Sequence, residues 1–484
     1  WALAILDKVK ETVILSRDYF GKKPLYFLSN KGGIFFSSEL KPLVALIDKP
    51  SIRSKAAFDY LMFDQRDAYN PSLFDGIEEI SPGTYQIYTF SGKKVKEEKY
   101  WELPVVDHKK MDYREISDEY NTLFEQSIKL RLRADVPIDI NLSGGLDSAA
   151  IAVATAKIAG NDFGCHTFRF DGDGTDESPQ AQSIADALGF KLDVISLSQE
   201  ELWNNILENI NISEEPVHSP TVFVQQAAWS LIAKEGYKVI LHGGGNDEFL
   251  CGYQYFEQIR SLSMLKQRKY FEYFKTSKYS FKKNLGRVFK WQILGKNITN
   301  ENHLSSLYSD DFISDNFSKD NSQRYNSRIE ELARVNSNCD LRRRADIEYL
   351  RFPYWNKLMD KNSMSIPVEV RMPYYDKDLS SFVLSLPENQ LFGNGFTKIL
   401  LRDYMKNKLP QNITQNHVKI GFQTPDQLWM TRFKSRIMEE ISASGVQSYI
   451  DLDFIKENYQ KLPARVLWRI YNFSLWKKKF IGKL

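Results

Sequence analysis

VPIDINLSGGLDSAAIAVATAKIAG, residues 136–160, decides the fold. Residues 136–142 read as a buried strand, residues 147–160 as a helix, and Ser143-Gly144-Gly145-Leu146 joins them. Glycines let a backbone turn tightly and approach oxygen atoms closely. The exposed N–H groups and the positive end of the following helix attract phosphate. Ser143 and Ser148 supply hydroxyl donors, and Asp147 supplies a carboxylate for a magnesium ion that offsets phosphate charge. Six residues, Ser143 to Ser148, therefore read as a pyrophosphate cradle. No G-x-x-x-x-G-K-[ST] sequence occurs, so this is a different loop from the one that ends in Lys-Ser or Lys-Thr. A loop that grips the β and γ phosphates as a unit suits cleavage of ATP between α and β.

Working outward, strand and helix alternate. CHTFRF (165–170) reads as a strand, SPQAQSIADALG (178–189) as a helix ending at Gly189, and KLDVISL (191–197) as a strand. TVFVQQAAWSLIAKEG (221–236) reads as a helix, and KVILH (238–242) as a further strand. This order predicts an α/β parallel sheet with helices on both faces and its ligand at the carboxyl ends of the strands. His242-Gly243-Gly244-Gly245-Asn246-Asp247-Glu248 follows the last strand, so Asp247 is expected at the same edge as Asp147, converging on one magnesium pyrophosphate. By position, adenine is expected against Leu142, Phe170 and the main chain of His242 and Gly243; plain sheet core is the other reading of Phe170.

Residues 1–101 are different in kind. WALAILD, TVILSRD, KPLYFLSN and GGIFFSS read as successive antiparallel strands, and 81–101 adds a hairpin turning at Ser91-Gly92. Pro104 and the polar run after Asp107 read as a linker, which divides the chain into 1–105 and 106–484. The chain opens with Trp1 inside what reads as a strand and is expected to be part of a longer protein. Beyond Tyr253 strands are expected to stop, giving a helical C-terminal lobe whose basic aromatic stretch YFEYFKTSKYSFKK (270–283) reads as a solvated helical surface.

The bulk properties fit this reading. With 65 basic and 62 acidic residues the net charge is +3, too small a field to suggest a nucleic acid or a membrane surface. No apolar run is long enough to cross a bilayer, and the three cysteines, Cys165, Cys251 and Cys339, show neither metal-ligand nor disulfide spacing. A cytoplasmic protein acting on small molecules is expected; the sequence leaves a homodimer open.

S-G-G-L-D-S followed by G-x-G-x-D-E resembles the asparagine synthetase branch of the ATP pyrophosphatases. Thr175-Asp176-Glu177-Ser178-Pro179 is similar to that family's D-E-S-P, and Glu214-Glu215-Pro216 to its D-E-P. DKNSMSIPVEVRMPYYD (360–376) resembles D-R-A-S-M-x-x-x-x-E-x-R-x-P-F-L-D. Thr397-Lys398 with Leu401-Arg402, and Lys419-x-Gly421-Phe422-x-x-Pro425, follow in order. Arg17-Asp18-x-Phe20-Gly21-x-Lys23-Pro24-Leu25-Tyr26 and Ser38-Glu39-Leu40-Lys41 resemble the latter part of the family's N-terminal-nucleophile glutaminase.

The resemblance implies an adenine-nucleotide α-hydrolase-like synthetase preceded by an incomplete glutaminase. It implies ATP and Mg2+ as cofactors, with aspartate and glutamine-derived ammonia as substrates. Adenylation of the aspartate side chain and displacement of AMP would give asparagine. It also implies Lys398 as the cation that stabilises the charged transition state, and Glu369 and Arg371 on the substrate side, where a structural ion pair is the other reading. The glutaminase nucleophile would precede Trp1. One position departs from the pattern: the family's S-G-[DE]-G carries a carboxylate where this chain has Gly244, and His242 stands in place of the serine. That departure leaves open a relative that closes a lactam or amidates another acid, as β-lactam and lasso-peptide cyclases do. A tRNA-modifying module and an inactive scaffold are readings from other classes.

Overall fold

The computed structural model describes residues 1–30, 32–65, 72–107, 112–171, 176–276, 311–393, 395–416 and 424–482. Thr175, Lys419, Gly421 and Phe422 of the sequence reading lie outside these residues, as does the second half of the basic aromatic stretch, 277–283. The strands are β1 Ala2–Asp7, β2 Thr12–Arg17, β3 Tyr26–Asn30, β4 Gly33–Ser37, β5 Ile77–Glu79, β6 Thr84–Thr89, β7 Lys94–Lys99, β8 Ile138–Asn141, β9 Gly164–Phe170, β10 Asp193–Leu197, β11 Val239–Leu241 and β12 Glu369–Arg371.

Three sheets result among the described residues. Two are antiparallel, ordered β1-β2-β6-β7 and β4-β3-β5, and one is five-stranded, ordered β10-β9-β8-β11-β12. Every pairing in the last is parallel. The early strands thus divide between two sheets, which local alternation does not reveal. The expectation that strands stop after Tyr253 fails at β12, which adds to β11 over Glu369–Arg371. Three residues are too few to show a period, so only the partner strand defines this one.

Side chains of β11 show why helices lie on both faces. Val239 and Leu241 join one core with Ile138, Ile140 and the helix Leu146–Ala159, while Ile240 joins the other with Val370, Trp229 and Leu358. Alternate residues of a strand point to opposite faces, and here both are apolar because both are covered. The helices Tyr113–Arg131 and Leu146–Ala159 cover the first face; Thr221–Lys234 and Phe352–Met364 cover the second.

The antiparallel region is locked to the rest by buried ion pairs. Glu214 accepts from the Leu40 and Lys41 amides, each at 2.9 Å, and from Lys361 Nζ at 2.7 Å. Glu215 accepts from the Leu73 amide at 2.8 Å, and Lys357 bridges Glu215 at 3.7 Å to Glu79 at 3.3 Å. Glu79 also pairs with Arg17 at 2.8 Å. Lys22 donates to the Val370 carbonyl at 2.8 Å, capping the outer edge of β12. Phe20 enters an aromatic cluster of Trp101, Phe249, Phe352 and Tyr375.

A second buried ionic group lies within the parallel sheet. His166 Nδ1 is 2.5 Å from Asp139 Oδ1, and Nε2 is 2.9 Å from Glu235 Oε2. Burial pulls the imidazolium down, but bonds to Asp139 and Glu235 outweigh it and hold His166 up at about 9, against 6.5 for a free histidine.

Two outcomes follow. Glu214→Ala leaves Lys361 buried without its carboxylate and should cost about 3 kcal/mol, read as a lowered melting temperature and faster thermolysin cleavage between the two regions. A folded pKa raised above the unfolded one adds stability that is complete below pH 6.5 and is lost as pH rises to about 9. The stability gap between the native protein and His166→Gln, on the order of 3 kcal/mol at pH 6, should therefore close by pH 9 in denaturant titrations.

Candidate active site

β8 and β11 are neighbours, so the loops leaving their carboxyl ends emerge side by side. The first loop is fastened from within. Ser148 Oγ donates to the Ser143 carbonyl at 3.0 Å, receives the Ser143 amide at 3.1 Å and lies 2.9 Å from Ser143 Oγ, which receives the Gly145 amide at 3.2 Å. Gly145 precedes the 14-residue helix Leu146–Ala159, and Asp147 stands in its first turn. In the second loop Gly245 has φ +87°, a left-handed bend that glycine adopts without strain. Just beyond it Asp247 lies on the short helix Asn246–Phe249. The two loops touch main chain to main chain: a Cβ on Gly243 would sit 2.9 Å from the Ser148 amide nitrogen.

A third segment completes the site. Lys398 precedes the helix Ile399–Met405 and has φ +54°, a left-handed backbone that a lysine adopts only under constraint. Its ammonium lies 2.7 and 2.6 Å from the two oxygens of Asp147 and 2.6 Å from Asp247 Oδ1. Lys398 is 4% exposed, so these contacts form away from bulk water. Burial pushes the ammonium below the ordinary lysine range while Asp147 works against that shift. Asn246 Nδ2 donates to Asp147 Oδ1 at 2.7 Å, and Tyr374 OH donates to the Asp147 carbonyl at 2.8 Å.

The structure thus brings Ser143, Gly144, Gly145, Asp147, Ser148, His242, Gly243, Asp247 and Lys398 to one edge of the sheet. Leu142 continues β8 into this edge, its amide bonded to the His166 carbonyl at 2.9 Å, but its side chain is core. Phe170, at the end of β9, packs edge-on to Trp429 in the core of the opposite face. Glu369 and Arg371 pair bidentately at 3.1 Å, and Arg371 donates to the Arg131 and Arg133 carbonyls at 2.8 Å. Those carbonyls precede β8, so the pair lines a cleft of about 530 Å3 at the amino side of the sheet. No contact joins the pair to Lys398.

His242 is constrained differently. Its Nδ1 accepts the Gly244 amide at 3.0 Å, and burial holds the ring down at about 4. It is therefore a neutral imidazole with its proton on Nε2. Glu248, raised by burial, receives Tyr253 OH at 2.9 Å and Arg351 Nε at 3.2 Å.

Sequence reasoning missed Gly252, Asn246 and Tyr374. A Cβ on Gly252 would lie 2.1 Å from both Lys398 Cε and Asp247 Oδ1, so the lysine stem runs over a bare backbone. The signal available was a glycine five residues after Asp247, which means nothing until Lys398 is placed above it.

As a cation site the pair of aspartates is suitable. No group of three or more His, Cys, Asp or Glu side chains suited to a metal occurs among the described residues. Yet Asp147 and Asp247 both meet one positive charge at 2.6 Å, and magnesium is commonly held by one or two carboxylates, with phosphate and water supplying the rest.

Comparison with known proteins agrees with the geometry. Residues 1–101 match the family model of a glutamine amidotransferase domain, and residues 119–478 that of asparagine synthase. An asparagine synthetase [glutamine-hydrolyzing] of Bacillus subtilis is 24% identical over all of this chain and 78% of its own length. The amidase chry2 of Gibberella zeae is 26% identical over 53% of this chain, which spans 40% of that protein. A putative asparagine synthetase of Methanocaldococcus jannaschii is 30% identical over 52% of this chain and 49% of its own length. Among solved structures, an NH3-dependent NAD synthetase from Campylobacter jejuni aligns with 30% of this chain and 61% of its own at 18% identity and TM-score 0.23. With a match running from residue 119 to residue 478, this chain belongs to the asparagine synthase family.

Proposed function

We propose that the chain adenylates the side-chain carboxylate of aspartate with ATP and then forms the amide with ammonia derived from glutamine, releasing pyrophosphate and AMP. The observation that carries the proposal is the meeting of Asp147, Asp247 and Lys398 at 2.6–2.7 Å beside a glycine loop that opens a helix. The amides of the loop Ser143 to Ser148 that its own serines do not engage, together with the helix end, donate to the β and γ phosphates. Magnesium held by Asp147 and Asp247 would neutralise pyrophosphate charge when bound. Lys398 stabilises charge that builds on the phosphoryl oxygens as the carboxylate attacks. Adenine lies along the ends of β8, β9 and β11, beside the main chain of Leu142, Phe170, His242 and Gly243.

We divide the chain into a glutaminase part, 1–105, and a synthetase part, 106–484. The three cysteines are buried thiols, which suits a reducing cytoplasm. No described helix is long and apolar enough to cross a membrane.

Gly244 favours a second reading. With no carboxylate at this position, the acceptor is an acid other than aspartate or the nucleophile an amine other than ammonia; the likeness to proteins named amidases points the same way.

Purified protein given ATP, magnesium, ammonium and a panel of acids should release pyrophosphate with aspartate and form asparagine, while Asp147→Ala should not. Release with another acid would keep the mechanism and change the product; no release with any acid would end the proposal. Gly252→Ala displaces the lysine stem and should cut this turnover on the order of a hundredfold, at a cost of about 1–3 kcal/mol in stability. Unchanged turnover would show that the course of the Lys398 stem over Gly252 does not matter to the reaction.

A further inference from the structure

The Lys398 ammonium occupies the point between the two carboxylates where the adenylation reading puts a divalent cation. A lysine in contact with three carboxylate oxygens at 2.6–2.7 Å has its three N–H donors committed to the acids. We propose that Lys398 and the divalent cation are alternative occupants of the Asp147–Asp247 pair, so that the cation arriving with nucleotide releases Lys398 toward the phosphates.

Charge argues for exchange over joint occupancy. One ammonium leaves the two carboxylates with a net charge of −1, and a divalent cation brings it to zero. Both together would place three positive charges within contact of two negative ones, in a buried site where like charges repel strongly. Geometry allows the exchange because the Asp147 carboxylate and the main chain beneath both acids have partners other than the lysine. Asp147 is held by Asn246 Nδ2 at 2.7 Å and, through its carbonyl, by Tyr374 OH. The Asp247 carbonyl receives the Gly252 amide at 2.8 Å.

The lysine, by contrast, is built to leave. Its left-handed backbone is a strained conformation that surrounding contacts must maintain. Gly252 presents no side chain to its stem, which lies where a Cβ would be. The device deepens the adenylation reading and rests on it: without nucleotide the cationic group is stored on the acids, and with nucleotide it is delivered only when the metal has taken its place.

Mn2+ binding, followed by electron paramagnetic resonance without nucleotide, tests the exchange. The native protein should bind Mn2+ weakly, Lys398→Met at least tenfold more tightly, and Lys398→Met with Asp147→Ala no better than the native protein. Lys398→Gln serves as the second variant if the methionine protein is unfolded. Equal or weaker Mn2+ binding by a folded Lys398 variant would overturn the exchange. If native protein nevertheless releases pyrophosphate from ATP, the adenylation reading stands without it; if it does not, both fall.

Discussion

Two main chains in contact set the terms for everything else in this site. Because Gly243 has no Cβ, the loop after β11 can lie against the Ser148 amide, and with β8 and β11 paired, Asp147 and Asp247 are brought toward one point. Two carboxylates meeting one ammonium at 2.6 Å repel each other by about 3 kcal/mol even at an effective dielectric near 20. A cation is therefore a structural requirement before it is a catalytic one. Lys398 meets it, and its backbone strain, the bare Gly252 beneath its stem and the position of the helix Ile399–Met405 accompany that placement.

The second constraint is the ionic seam between the antiparallel region and the rest. Glu214 and Glu215 belong to a segment read as part of a family motif, yet their carboxylates receive backbone amides of Leu40, Lys41 and Leu73, all from the antiparallel region. Burying charge is costly unless geometry is complete, so such a seam tolerates few relative placements of the two regions. It therefore fixes orientation more than it adds stability. An aromatic cluster around Phe20 extends the seam to Tyr375, whose ring lies 2.2 Å from where a Cβ on Gly245 would be. The antiparallel region is thus packed directly behind the glycine loop that carries Asp247.

What the sequence made legible was local and repeated. Strand, glycine turn and helix at 136–160 announced the parallel sheet, and the same grammar at 238–248 placed the second acid. The division of β1 to β7 between two sheets was not legible, because period-two alternation is the same in either. Strand β12 was hidden by its length, and Gly252 and Tyr374 by distance: each acts on a residue more than a hundred positions away. For Phe170, Glu369 and Arg371 the sequence left two readings open. Position in the chain gave them a place near the ligand, whereas β9 turns the Phe170 ring into the core of the far face and Arg371 reaches back to the carbonyls before β8.

Two departures from the family pattern, His242 and Gly244, prove to be one. The Gly244 amide donates to His242 Nδ1, and a Cβ on residue 244 would come within 2.9 Å of that same nitrogen. A histidine in this rotamer therefore requires glycine two residues later, and restoring a carboxylate at 244 would displace the ring. The histidine does not replace the lost base either: its one lone-pair nitrogen is engaged, and burial holds it near 4, so at neutral pH it offers only the Nε2 proton. Where the family pattern has a proton acceptor, this chain has a donor. A donor at that point suits a group carrying negative charge, such as the oxyanion of a tetrahedral intermediate or a carboxylate on the incoming amine, and leaves proton removal to the phosphate of the adenylate or to water. Within the adenylation we propose, this inversion of polarity, more than the absence of a side chain, is the physical reason to expect a different nucleophile.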